Sequence, residues 1–139
     1  MSELADTSAW FASRRSPEVR WRFDNLVASR GIATCDAVKL ELLFTARNGA
    51  ELTARRTELD VLPQCPIGPV EFRRALDVYE QLAHQGGRHH RRVKHPDLLI
   101  AAAAESAGMT LLHYDQDFEA IAEITGQQTR WIAARGSVS

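Results

Sequence analysis

The sequence predicts an α/β sandwich in a single domain, with a mostly parallel central sheet flanked by helices. Three observations lead there. Short apolar runs alternate along the chain with helix-length segments, the pattern of parallel strands joined by helical crossovers. The stretch "DLLIAAAAESA" (97–107) is apolar on nearly every face in its first half, as a helix sunk into a core must be. The chain has 139 residues, 45% hydrophobic and 25% charged, enough for one proper core but not two, and it shows no repeat or linker-like stretch.

Taken in order, "ELA" (3–5) is a short first strand ending at Asp6. Ser16-Pro17-Glu18 starts a helix: a capping hydroxyl, a proline in the first turn, and an acid near the positive end. That helix runs to about Ser29 and is stopped by Gly31. "GIAT" (31–34) is a short buried strand, residues 36–46 form a third helix, and 50–60 form a polar, solvated one. "DVLPQCPI" (60–67) holds a short strand or extended piece. Gly68-Pro69 opens a helix anchored by Val70, Leu76, Val78 and Leu82. The glycines of "HQGGRHHRRVKH" (84–95) mark a loop. Pro96 begins a helix through Ala107 that Gly108 ends; "MTLLHY" (109–114) is a strand, "DFEAIAEI" (117–124) a short helix, and "TRWIA" (129–133) a last strand.

Composition narrows the function. No apolar run is long enough to span a bilayer, and "MSELADTSAW" lacks the basic start and apolar stretch of a secretory leader. Cys35 and Cys65 are isolated and have no metal-type spacing, so two reduced thiols and a cytoplasmic location are expected. A net charge of −1 gives no overall attraction for nucleic acid, so such a role needs a local basic patch.

In an open parallel sheet, function collects at the carboxyl ends of the strands. Acids fall there or in apolar surroundings at four places: Asp6 after the first strand, Glu41 among Ala37, Val38, Phe44 and Thr45, Asp97 opening the most apolar helix, and Asp115 and Asp117 after "TLLHY". Each has a bland explanation. Asp6 and Asp115 are natural helix caps, Asp97 and Asp117 suit a first helical turn, and Glu41 could pair with an arginine such as Arg47. Together they are harder to dismiss, because carboxylates gathered at one sheet edge repel unless protonated or bound to a cation. Oxygen-only ligands select a hard ion, Mg²⁺ or Mn²⁺, which can polarise a phosphodiester and generate hydroxide.

These residues sit in segments that resemble PIN-domain ribonucleases, most closely the VapC toxins of bacterial toxin–antitoxin pairs. The matching segments are "LADTSAW" (4–10), "AVKLELLFTARN" (37–48), "HPDLLIAAAAESAGMTLLHYDQDFEAIAEITG" (95–126) and the basic approach "RHHRRVK" (88–94). They span nearly the whole chain in the family's order. The resemblance implies a three-layer PIN fold over residues 1–139, with Asp6, Glu41 and Asp97 as core acids and a fourth at Asp115 or Asp117. Relatives usually carry several apolar residues before the first acid; here "MSELA" is short and polar, implying a weak first strand.

The implied activity is Mg²⁺-dependent hydrolysis of single-stranded RNA, with Mn²⁺ as the alternative ion, leaving 5′-phosphate and 3′-hydroxyl ends. Asp6 and Asp97 would hold the ion with Asp115 or Asp117, and Glu41 would orient or deprotonate the attacking water. Thr7 and Ser8 would bond to a carboxylate or a bound water, and Arg88, Arg91, Arg92 and Lys94 would bring phosphates to Asp97. The implied partners are RNA, a VapB-type antitoxin received by the early helices near Trp10, Phe11, Trp21 and Phe23, and a second copy of the chain in a homodimer.

Rival readings are weaker. A calcium loop in "HYDQDFEA" needs Gly at 120 and Glu at 126, where the chain has Ala120 and Gly126. An aspartyl-phosphatase motif belongs near a domain's start. His89 and His90 could support metal-free cleavage but have no fixed scaffold. The last alternative is a non-catalytic PIN-like binding module with a vestigial pocket.

Overall fold

The computed structural model describes residues 2–85 and 89–139, so Arg88 of the basic segment lies outside the described residues. Its strands are β1 (Glu3–Ala5), β2 (Ile32–Ala33), β3 (Leu111–His113) and β4 (Thr129–Trp131). They form one parallel sheet in the order β2-β1-β3-β4. Leu4 pairs with Ala33 on one side and Leu111 on the other, which makes β1 an interior strand despite its length. Its polar first residue is accommodated at the rim, where Arg130 grips Glu3 through two hydrogen bonds of 2.8 and 2.5 Å.

Successive strand residues face opposite sides of a sheet, and the two cores follow that alternation. Leu4, Ala33 and Leu111 join one apolar cluster; Ala5, Ile32 and Leu112 join the other. The second cluster is closed by α1 (Thr7–Arg15) and α2 (Pro17–Ala28), where Trp10 meets Phe23 edge-on at 4.8 Å. The first cluster is closed by α3 (Asp36–Leu43), α4 (Gly49–Asp60), α5 (Pro69–His84), α7 (His95–Ser106) and α8 (Asp117–Thr125), with the short α6 (His89–Arg92) before α7. The result is a three-layer α/β domain, as expected. α7 is the central element of its layer, packed between α3, α5 and α8, and Leu98, Ile100 and Ala101 through Ala104 are all buried.

Several expectations shift in detail. Ser16 caps α2 as expected, accepting from the Val19 N–H at 3.3 Å. The Glu41 helix stops at Leu43 rather than 46, because Asn48 caps a new helix by accepting from the Glu51 N–H. Residues 60–67 supply only a single bridge, Gln64 to Thr34. On α5, Val78 and Leu82 are buried anchors, but Val70 and Leu76 are 61% and 66% exposed. Both lie off the helix face that carries Ala75, Val78 and Leu82. The basic segment is not wholly loop, since residues 89–92 make a helical turn. Cys35 and Cys65 are buried free thiols. Among the described residues no helix is long and apolar enough to cross a membrane.

Candidate metal centre

Parallel pairing of β1 and β3 puts their carboxyl ends side by side, and the acids that follow them meet there. The Asp6 N–H donates to the Leu112 carbonyl at 2.9 Å, which fixes Asp6 beside the end of β3. Its side chain caps α1 through Oδ2, which accepts from the Ser8 N–H at 2.9 Å. The other oxygen, Oδ1, is buried with no hydrogen-bond partner. A buried acceptor without a donor is costly, more so when it carries charge. The capping role expected of a bland aspartate is therefore real, but it accounts for only half of the carboxyl group.

α7 runs antiparallel to the strand it feeds, so its first turn lies over the same edge and brings Asp97 there, 5% exposed. Glu41 projects from α3 and is half-buried rather than sunk in an apolar face, because its helical neighbour Phe44 is 88% exposed. Its partner is a hydroxyl: Thr7 Oγ1 donates to Glu41 Oε1 at 2.7 Å. Single oxygens of Asp6, Glu41 and Asp97 lie within 4.8 Å of one another, and so do oxygens of Asp97, Asp115 and Asp117. Asp97 belongs to both groups. The five acids thus form one continuous patch, with Glu41 at one end and the Asp115–Asp117 pair at the other.

Both acids after β3 have local duties as well. Asp115 Oδ1 accepts from the Asp117 N–H at 2.9 Å, and the Asp115 carbonyl accepts from the Phe118 N–H at 3.2 Å, which starts α8. The structure brings both to Asp97 and does not single out one as the fourth acid.

Burial sets the electrostatics. It pushes Asp6 up to about 6, against the lowering hydrogen bonds from Ser8 and with a further push from Glu41. Asp97 is pushed up to about 8, first by burial and then by the charges of Asp6, Asp115 and Glu41, with Lys94 partly offsetting them. Asp117 is also raised, by burial and by Asp115, against Arg92 and Lys94. Without a cation the patch retains a proton near neutrality; a cation relieves the same repulsion. An all-oxygen donor set with one buried, unpartnered oxygen fits a hard divalent ion.

Thr7 and Ser8 reach the site as supports. Thr7 holds Glu41, and the Ser8 hydroxyl accepts from the Tyr114 N–H at 2.8 Å, tying α1 to the end of β3. Arg91 and Arg92 are exposed on α6, and Lys94 is the residue from which α7 starts. Sequence reasoning missed His113. It is fully buried against Phe118 and Trp131, at ring-centroid distances of 5.3 and 4.9 Å. Its Nδ1 accepts from the Asp115 N–H at 3.2 Å, and burial lowers its pKa to about 4, so it is a neutral ring that fixes the turn carrying Asp115. The available signal was a lone polar residue inside the apolar strand "LLHY".

The PIN domain family model matches residues 4–124. Ribonuclease VapC18 of Mycobacterium tuberculosis (strain ATCC 25618 / H37Rv) is 45% identical over 133 residues, covering 96% of each chain. Ribonuclease VapC21 of Mycobacterium tuberculosis (strain CDC 1551 / Oshkosh) is 38% identical over 135 residues, again covering 96% of each. Among solved structures, DNA-bound VapBC from Salmonella typhimurium superposes with a TM-score of 0.70 at 20% identity, over 96% of this chain and 100% of the matched one, a likeness of fold.

Proposed function

The chain belongs to the PIN domain family, and on that premise we propose that it is a VapC-type toxin, an endoribonuclease that hydrolyses RNA phosphodiesters at a metal held by its acidic patch. The observations that support this best are the convergence of Asp6, Glu41 and Asp97 and a buried Asp6 oxygen with no protein partner. Asp6 and Asp97 would hold Mg²⁺ or Mn²⁺, with Asp115 or Asp117 completing the donor set. When bound, such an ion supplies the positive charge that polarises the phosphodiester and acidifies the attacking water. Glu41, held in place by Thr7, orients that water and accepts its proton. Arg91, Arg92 and Lys94 draw phosphates towards Asp97, with Arg88 assigned the same role from sequence alone.

Two protein partners belong to the same proposal. The VapBC complexes among the structural relatives argue for a VapB-type antitoxin. Of the aromatics expected to receive it, Phe23 is buried and Trp10 is half-buried against it, which leaves Trp21, 70% exposed, and the open part of Phe11. For a second copy of the chain, the exposed Phe72 and Leu76 of α5 offer an apolar face.

The test is cleavage of structured and unstructured RNAs by protein purified free of antitoxin. Cleavage should require Mg²⁺ or Mn²⁺ and be lost in EDTA and in Asp97→Asn. Full activity in chelator, or in that variant, would contradict the mechanism.

A further inference from the structure

The basic residues around α6 act at one end of the acidic patch: Asp117 feels Arg92 and Lys94, and Asp97 feels Lys94. The opposite end, at Glu41, opens into a separate groove. Its walls are Thr7 and Phe11 of α1 together with Leu40, Glu41, Phe44 and Thr45. The hydrogen bond between Thr7 and Glu41 lies on this groove, so it is continuous with the metal centre. Phe44, 88% exposed, is the most exposed of the large apolar side chains among the described residues.

Two arginines touch the lining of this groove, and a third touches one of them. The Arg14 guanidinium sits over the Phe11 ring, 5.2 Å from its centroid. Arg55 of α4 donates to the Thr45 hydroxyl at 2.8 Å. Arg20 of α2 donates to the Arg14 carbonyl at 3.2 Å. Arg14 feels the other two: burial lowers its pKa, and the charges of Arg55 and then Arg20 lower it further. The acid paired there, Glu51, is shared between Arg47 and Arg55. Like charges collected in this way oppose folding and are relieved by an anion. Planar guanidinium forks match phosphate, and exposed rings beside a cationic track are what single-stranded nucleic acid stacks on.

We propose that this groove is a second subsite for single-stranded RNA, in which Phe44 and Phe11 stack bases and Arg14 and Arg55 hold phosphates of the nucleotides leaving the acidic patch on the side away from α6. The proposal rests on the ribonuclease assignment and extends it. The strand is gripped on both sides of the scissile phosphate, which offsets the repulsion between the RNA and five clustered acids. The guanidinium groups of Arg14 and Arg55, placed beside the exposed rings, favour RNA over a protein occupant.

The experiment is fluorescence anisotropy with a pool of labelled, mixed-sequence single-stranded RNA oligonucleotides, in EDTA and across a salt series. It compares the wild type with Phe44→Ala and with Arg14→Ala/Arg55→Ala, each checked for folding by thermal melting. Phe44→Ala should weaken binding roughly 5- to 100-fold, the usual effect of removing one stacking ring. The double variant should lower the slope of log K against log salt by about 1.4, or about 0.7 per lost phosphate contact on a single strand. Unchanged affinity and slope in both folded variants would overturn the subsite, as would an effect confined to binding of a VapB-type antitoxin. If the wild type binds RNA in this groove-dependent way but cuts no RNA with Mg²⁺ or Mn²⁺, the subsite stands and the ribonuclease assignment fails.

Discussion

At the scale of single residues, the site is built from side chains that each satisfy a local need and then have an oxygen to spare. Asp6 caps α1 with one oxygen and leaves the other buried and unpartnered. Thr7 does no capping; its hydroxyl is committed to Glu41. Thr7→Val should therefore leave the fold intact and lower the Mg²⁺-dependent rate of RNA cleavage about 10- to 100-fold, the usual penalty for losing a hydrogen bond that orients a functional group, as read by cleavage assays beside a melting curve. A loss below twofold would remove Thr7 from the site. Titration makes a second expectation. Asp97 has a native pKa of about 8 against an ordinary 3.8, so the folded state binds the extra proton and stability is lost as pH rises through that window. Asp6, raised to about 6, acts in the same sense at lower pH. His113, lowered to about 4 from 6.5, acts in the opposite sense: its contribution is present above 6.5 and lost as pH falls. Asp6 and His113 largely offset each other below pH 6.5, which leaves the interval from 6.5 to 8 dominated by Asp97. In EDTA the protein should lose on the order of 2 kcal/mol across that interval, at about 1.36 kcal/mol per unit. Asp97→Asn should flatten the profile there, and Mg²⁺ should restore stability to the wild type at pH 8. Denaturant melts at the two pH values decide the matter; a wild-type profile as flat as that of Asp97→Asn would refute the assignment of the titrating group.

At the scale of elements, the positions of the acids follow from topology. Parallel β1 and β3 end together, and α7 runs back against the strands, so its first turn lies at the carboxyl edge, whereas Glu41 comes from the last turn of α3 and is held to the site by Thr7. This much was legible in the sequence, because alternating apolar runs, the proline at 96 and the alanines of 101–104 are local signals. Less legible was what depends on orientation. Val70 and Leu76 are as apolar as Val78 and Leu82, and only the rotation of α5 decides which pair is buried. The helical turn at 89–92 follows two glycines that by themselves mark a loop. Glu41 stands out in the sequence for an apolar helix face that the structure does not give it, since its neighbour Phe44 faces solvent. His113 is meaningful only once its ring is seen against the Asp115 N–H. The small-residue face of α7 carries the clearest expectation at this scale. Ala103 is fully buried, so Ala103→Leu should overpack the α7 layer at a cost of about 1–3 kcal/mol. Its melting temperature should fall accordingly, whereas wild-type stability would mean that α7 does not sit where the structure puts it.

At the scale of the whole molecule, a net charge of −1 conceals a division of labour: acids at one sheet edge, and arginines on either flank of them. Neither the division nor the assembly could be read from composition, since both depend on which faces meet. The apolar face of α5 gives the assembly a direct check. Leu76→Glu changes a side chain that is already 66% exposed, so it should melt like the wild type. If α5 forms the homodimer contact, light scattering should show the variant as a monomer where the wild type is a dimer; an unchanged dimer would place the contact elsewhere. What the molecule does, however, depends on whether acids distant in sequence gather to hold a cation. Calorimetric titration of Mn²⁺ into antitoxin-free protein tests that most directly. Saturable binding in the wild type, abolished in a folded Asp97→Asn variant, is the expected result, and no binding in the wild type or equal binding in the variant would contradict it.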